Sequence, residues 1–328
     1  MKHISIVVPE GENNLSSIVG SYKILSRANS IWKETHQEEK FNIELVGISK
    51  EVGFHNDLFC ARPQKLIEEV SHTNLIIIPS LNHNYKQAIN GNKPLIGWIE
   101  EQYRNGAEVA SVCTGAFLLA STGLLNGKIC STHWAFEKTL KELFPEINVQ
   151  TDRLITDENG IYTNGGAYSF LNLILYLVEK YFNRQTAIFC SKVFQIEIDR
   201  YSQSEFIIFK GQKNHDDKLI LNAQIFIENH IQEKVNVEAL STKLAISRRN
   251  FDRRFIKATG NTPSEYAQRV KIELAKKTLE TSRKTINEVM YEVGYTDLKA
   301  FREVFKRITG MSPSEYKNKY NMNSFASK

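Results

Sequence analysis

The sequence predicts two domains of different class, a parallel α/β domain followed by an all-α domain. Three observations carry this. Strand-like and helix-like stretches alternate through the first 200 of 328 residues, as in a parallel sheet covered by helices. A unit of about 30 residues then occurs twice, the copies 50 residues apart, which marks a duplicated helical element. Charge divides along the same line. Residues 211–328 hold 22 Lys and Arg against 14 Asp and Glu, whereas residues 1–210 hold 20 against 23. A basic domain suits nucleic acid, and the mildly acidic one suits some other partner.

In the first domain, residues 1–200, His3–Val8 (HISIVV) and Ile43–Ile48 (IELVGI) read as short strands. Leu75–Ile78 (LIII), ending at Pro79, reads as a strand buried on both faces. Ser17–Ala28 and Gln64–Val70 read as helices. Val109–Val112 is a further strand, followed by Cys113, Thr114, Gly115 and an apolar helix reaching Ser121. Gly160–Thr163 enters Asn164, Gly165, Gly166 and a long helix reaching Tyr181, and Arg184–Arg200 closes the domain as a helix. This order specifies a flavodoxin-like parallel sheet with helices on both faces. Ligands of such sheets sit at the carboxyl ends of the strands. The loops there carry Asn13, Ser80, Asn82, Cys113, Thr114, His133 and Asn164, a candidate ligand pocket. Backbone amides after Cys113 offer donors to an anionic or amide group.

No run of about 18 apolar residues is present, so no membrane span is expected. The opening MKHISIVVPEGENN lacks the apolar length and cleavage site of a signal peptide. Cys60, Cys113, Cys130 and Cys190 show no metal-like pairing, and a reducing cytoplasm is the expected setting. Neither a metal nor a cofactor is expected.

Residues 201–216 read as a linker and 217–328 as the second domain, with Lys218–Ile231 its lead helix. Ile286, Val289, Met290 and Val293 form one face of a short helix, and Gly294 should stop it. Thr296 can cap the next helix, which buries Phe301, Val304, Phe305 and Ile308. Two short helices joined through a Gly-containing turn make a helix-turn-helix. Phe251, Phe255, Thr259, Gly260, Pro263, Ser264, Glu265 and Tyr266 recur fifty residues on as Phe301, Phe305, Thr309, Gly310, Pro313, Ser314, Glu315 and Tyr316. Between the copies, Ser264–Thr281 reads as one long helix, with Val270, Leu274 and Leu279 against Lys271, Lys276 and Lys277. It should hold the two recognition helices apart at a fixed distance. With each Phe pair facing inward, Arg249, Asp252 and Arg253 face outward on the first recognition helix, with Arg248 near the phosphates. On the second, Lys299, Arg302 and Glu303 face outward, with Lys306 on the DNA backbone.

From about Lys218 to Tyr320 the chain resembles the AraC/XylS family of transcription regulators, most strongly in VGYTDLKAFREVFKRITGMSPSEY. The outward residues match that family's base-contacting positions. Met290 departs from the small residue usual there. The stretch ASVCTGAFLLASTGLLNGKICSTHW, with ISIVVPEG and YTNGGAYSFLNLILYLVEKY, resembles the PfpI-type branch of the class I glutamine amidotransferase-like fold. Its nearest likeness is to the sensor domains of GlxA-type AraC regulators. That resemblance implies that Cys113 sits on a sharp strand-to-helix turn, where a positive helix end would lower its pKa. Thr114 stands where many enzymes of the superfamily have His, and the usual Glu falls near Ser16, with Glu10 and Glu12 close by. His133 is either a structural residue of the pocket wall or a neighbour of Cys113.

The expectation is a cytoplasmic transcription regulator that binds double-stranded DNA as a homodimer, senses a small-molecule effector and can address RNA polymerase. The alternative is a PfpI-type cysteine hydrolase or related enzyme tethered to a DNA-binding domain.

Overall fold

The first strand, β1 (Lys2–Val8), is the spine of the sheet. Ile4, Ile6 and Val8 enter one hydrophobic cluster and Val7 the other, as a strand covered on both faces requires. The computed structural model describes residues 2–321 apart from 83, 199–201, 214 and 234. The chain divides into two units, Met1–Gln203 and Ser204–Lys328.

The first unit continues with α1 (Leu15–His36), β2 (Phe41–Gly47), β3 (Val52–Phe54), β4 (Phe59–Ala61), β5 (Lys65–Leu66), β6 (Leu75–Ile78), α2 (Tyr85–Gly91) and α3 (Lys93–Arg104). Then come β7 (Glu108–Val112), α4 (Ala116–Ser121), β8 (Ile129–Cys130), α5 (Glu137–Leu143), β9 (Asn148–Val149), β10 (Ile155–Glu158), β11 (Ile161–Asn164), α6 (Phe170–Tyr181) and α7 (Arg184–Phe194). The main sheet runs β10-β11-β7-β6-β1-β2-β5. Its pairs are parallel except β10 on β11. Residues of α1, α6 and α7 fill the cluster on one face, and residues of α3 and α4 the cluster on the other. The fold class expected from the sequence is therefore present.

Three local readings need correction. Gln64–Val70 is not a helix. The Gln64 backbone and side chain both bond to Leu45, drawing Lys65 and Leu66 onto the open edge of β2, and only a 3-10 turn, Ile67–Glu69, follows. The strand read from Gly160 is half of a hairpin. Asn159 and Gly160 both take positive φ, the turn that matches strand twist, and return the chain along β10. The helix read to Arg200 ends at Phe194, capped by Gln195 in the left-handed region; Asp199 and Arg200 lie outside the described residues.

The second unit holds α8 (Lys218–Asn229), α9 (Val237–Lys243), α10 (Arg248–Thr259), α11 (Pro263–Thr281), α12 (Ile286–Glu292), α13 (Leu298–Thr309) and α14 (Pro313–Tyr320). The duplication is plain in its cores. Leu240, Phe251, Phe255 and Tyr266 share one cluster; Val289, Phe301, Phe305 and Tyr316 share the other. Met290 is buried in the second cluster, where its flexible thioether fills the space. Both turns end in the same paired bonds: Ala245 N–H to Thr242 O with Ile246 N–H to Ser241 O, and Gly294 N–H to Tyr291 O with Tyr295 N–H to Met290 O. This is the arrangement that satisfies the last carbonyls of a helix through a left-handed residue. α11 and α14 each open with a capping box, Thr262 with Glu265 and Ser312 with Glu315.

Two further corrections concern this unit. Asp297, not Thr296, caps α13, its carboxylate accepting from Ala300 N–H at 2.6 Å. Lys271 and Lys276 do not lie on a solvent face; they are 8% and 4% exposed. α11 runs between both cores, so its lysine stems are covered by neighbours on more than one side.

Candidate nucleic-acid interface and ligand pocket

The outer faces of α10 and α13 follow from their inner ones. With Phe251 and Phe255 fully buried, Arg249 and Arg253 are exposed and Arg248 and Asp252 half-buried. With Phe301 and Phe305 fully buried, Lys299, Arg302, Glu303 and Lys306 are exposed. The two helices treat their charges differently. On α10, Arg248 pairs with Asp252 at 2.8 Å and Glu238 at 3.5 Å, and Arg253 donates to Asn250 at 3.1 Å. Arg254, which the sequence reading left out, holds Asp217 with two bonds, at 2.8 and 2.6 Å. On α13, Lys299, Arg302 and Lys306 make no hydrogen bond or ion pair among the described residues, and neither does Arg249 on α10. Arg307 is tied to Gln268 of α11 at 2.6 Å.

The second candidate site lies at the carboxyl edge of the sheet. Asn164, the last residue of β11, pairs with Val112, which precedes Cys113 on β7. Cys113 takes φ +52°, a strained turn for a residue with a side chain. Gly115 packs closely on the end of the neighbouring strand β6: a Cβ there would lie 2.5 Å from Pro79 O. Ser80 and Thr114 join hydroxyls at 2.8 Å, and Thr114 donates to Leu81 O at 2.6 Å. Both hydroxyls, with the backbone of Thr114 and His133, surround the Cys113 thiol. Asn82 donates to Asn13 O at 3.3 Å, and Asn13 donates to Pro9 O and Gly11 O. Asn164 donates its amide to Leu154 O and Ser169 O. The side-chain oxygens of Asn13 and Asn164 are buried without a hydrogen-bond partner among the described residues.

The chemistry at Cys113 differs from the sequence expectation. The thiol is 3% exposed, and burial outweighs the surrounding hydrogen bonds, so its pKa is raised, not lowered. Its side-chain hydrogen-bond partners are hydroxyls, and neither an imidazole nor a carboxylate among the described residues bonds to it. Glu12 instead bonds His55 N–H in the β3–β4 turn, and Ser16 bonds Asn14. His133 accepts from Ala135 N–H at its own Nδ1, and burial lowers its pKa, favouring the neutral ring.

Sequence reasoning missed three neighbours. Thr132 donates to Cys113 O at 2.9 Å, Gln203 donates to Thr132 O at 2.9 Å, and Tyr85 stacks on Phe117 at 3.8 Å beside the thiol. A cavity of about 330 Å³ opens elsewhere in this unit, between Leu154, Ile155, Leu175, Tyr176, Ala187 and Ile198. None of the seven predicted pocket residues lines it.

Two family models match the sequence. Residues 28–180 match a DJ-1/PfpI family domain and residues 240–319 a helix-turn-helix domain. The expected PfpI-type and AraC-type resemblances are borne out. Curated relatives include the HTH-type transcriptional regulator GbdR of Pseudomonas aeruginosa, 25% identical over 221 residues, 67% of this chain and 60% of GbdR. The match to that relative thus leaves out two-fifths of its length. The HTH-type transcriptional regulator GlxA of Rhizobium meliloti is 24% identical over 66% of this chain and 67% of its own. Among solved structures, a protein of Vibrio parahaemolyticus assigned as a transcriptional regulator aligns with TM-score 0.53 and 25% identity, over 58% of this chain and 98% of that one. Drosophila melanogaster DJ-1beta, 14% identical, aligns with TM-score 0.50 over 60% of this chain and 98% of its own, and shares the fold. No helix among the described residues is long and apolar enough to cross a membrane.

Proposed function

We propose that this chain is a sequence-specific DNA-binding transcription regulator whose DJ-1/PfpI-type domain senses a small molecule and does not turn over substrate. The observation that carries the DNA reading is the set of unpaired cations Arg249, Lys299, Arg302 and Lys306 on the outer faces of two matching helices. Unpaired Arg and Lys on such a face are free to meet base edges and phosphates. Arg253 adds a guanidinium held, among the described residues, by Asn250 alone. Relatives named as HTH-type transcriptional regulators support the same reading. The partners are double-stranded DNA, a small-molecule effector, a second copy of the chain and RNA polymerase, in the cytoplasm.

The case against catalysis rests on Cys113. A nucleophile needs an adjacent base or a depressed pKa, and this thiol has hydroxyl neighbours and a raised pKa. Sensing suits it better: Ser80, Thr114 and the unpartnered oxygens of Asn13 and Asn164 offer polar groups at the carboxyl edge of the sheet. The test is a turnover screen of the full chain against esters, amides and glyoxal-type aldehydes, run beside duplex binding. Selective duplex binding without turnover is expected. Multiple turnovers lost in Cys113→Ala would replace the sensor with a tethered enzyme.

A further inference from the structure

The stretch expected to be a free linker, 201–216, contains a built segment; its Tyr201 and Asn214 lie outside the described residues. We propose that residues 204–213 are a strap that fixes the separation of the two recognition helices, with Lys276 as the positioning residue at its centre. This rests on the DNA-reading function above.

The strap is held at three places. At the second helix-turn-helix, Glu205 pairs with Lys319 at 2.7 Å and accepts from Tyr320 at 3.3 Å, and Lys319 lies over the Phe206 ring at 5.6 Å. At the first, the Phe209 ring meets Tyr266 edge-on at 5.2 Å, and Lys213 pairs with Glu228 of α8 at 2.6 Å. Between them, Lys276 of α11 donates to Ile207 O at 2.6 Å and to Glu273 at 2.9 Å. The same Glu273 oxygen accepts Phe209 N–H at 3.1 Å. The strap therefore runs alongside α11 and ties both cores to it.

The Lys276 side chain is only 5% exposed. An ammonium out of water is unfavourable unless it is paired and hydrogen-bonded. Here half of that compensation is a strap carbonyl, so the buried charge specifies a seated strap. Function follows from the duplication. Two reading helices on one chain gain affinity because the second binds as an intramolecular event, and the gain depends on a rigid, matched separation. They should meet successive major grooves, roughly 10 base pairs apart. α11 joins the two halves as one rod, and Ile231 and Gln232 after α8 touch the second core; the strap adds a further tie.

The test uses the full chain and duplexes that the wild type selects from a random library. The two half-sites are presented at the selected spacing, at spacings altered by a few base pairs, and singly. Wild type should discriminate between spacings by about tenfold or more, as a rigid bivalent reader does. Lys276→Met and Glu205→Gln should each cut that discrimination to about threefold or less, leaving single half-site affinity within about twofold. Lys276→Arg, which keeps charge and donors, should retain it. A general loss of folding would instead lower single-site binding and cooperative melting together. Should Lys276→Met fail to fold, Glu205→Gln at the strap's outer end carries the test. The proposal is overturned if folded variants discriminate spacing as the wild type does. A wild type that selects no duplex would overturn the DNA-reading function itself.

Discussion

The two helix-turn-helix units of this chain have one plan and two ways of holding it. Their cores match position for position, Phe251 with Phe301, and Ser247 and Asp297 cap equivalent helices, but the second turn is one residue longer. The first unit turns through Ala245 at φ +53°, the second through Gly294 at φ +74°. The first spends part of its charge on itself, through Arg248 with Asp252 and Arg254 with Asp217, and leaves Arg249 outward. In the second, the position of Arg254 is Val304 and that of Asp252 is Arg302, and Lys299, Arg302 and Lys306 make no hydrogen bond or ion pair among the described residues. Duplication preserved the packing and let the surfaces diverge. The first recognition helix ties more of its charges internally than the second does.

The sharpest way to break the comparison is at the turns. A Cβ on Gly294 would lie 2.2 Å from Gln232 O and 2.8 Å from Gln232 Cα, both backbone atoms that cannot swing aside. Gly294→Ala should therefore destabilise the second unit by about 3 kcal/mol or more, read by denaturant unfolding of the full chain. A loss below about 1 kcal/mol would mean that the turn has room the structure does not show.

The next effect belongs to the first unit alone. The Arg254 guanidinium holds the Asp217 carboxyl below its ordinary value of 3.8. A carboxylate depressed in the folded state contributes stability above its unfolded pKa and loses it as pH falls through the folded one. Asp217→Asn keeps a capping side chain for α8 but loses the ion pair, so it should lower stability at neutral pH, by less than the change at Gly294. That difference should close as pH drops below 3.8, which unfolding curves at several pH values would reveal.

Smallest is Ala245→Gly. Glycine relieves about 1 kcal/mol of left-handed strain but loosens the unfolded chain by a similar amount. Melting should move by less than the equivalent of about 0.5 kcal/mol, in contrast to the reverse change at Gly294.

What could be read beforehand follows the same divide between pattern and surroundings. Burial patterns fix β1, β6 and β7 and the Phe stripes because strand and helix periodicities are local. The β10–β11 hairpin was legible too, in Asn159–Gly160, a turn signal overlooked beside the longer apolar runs. Lys271 and Lys276 were not. Nothing local distinguishes a lysine facing water from one whose ammonium meets the carbonyl of Gly294 or Ile207. Cys113 was legible as a residue at a turn. Its protonation was not, because burial by residues distant in sequence raises its pKa and outweighs the hydrogen bonds from Ser80, Thr114 and His133 that would lower it. Gln203 and Thr132 carried no signal, since their role is set by a contact across 71 residues.

The central claim is that α10 and α13 each read a half-site. Its most direct test is selection from a random duplex library by the full chain and by Arg253→Ala and Arg302→Ala separately. The wild type should return two half-sites roughly 10 base pairs apart. Each substitution should cost about 1–3 kcal/mol on the specific duplex and relax preference in one half-site only, a different one for each. If neither changes sequence preference, α10 and α13 are not the reading helices.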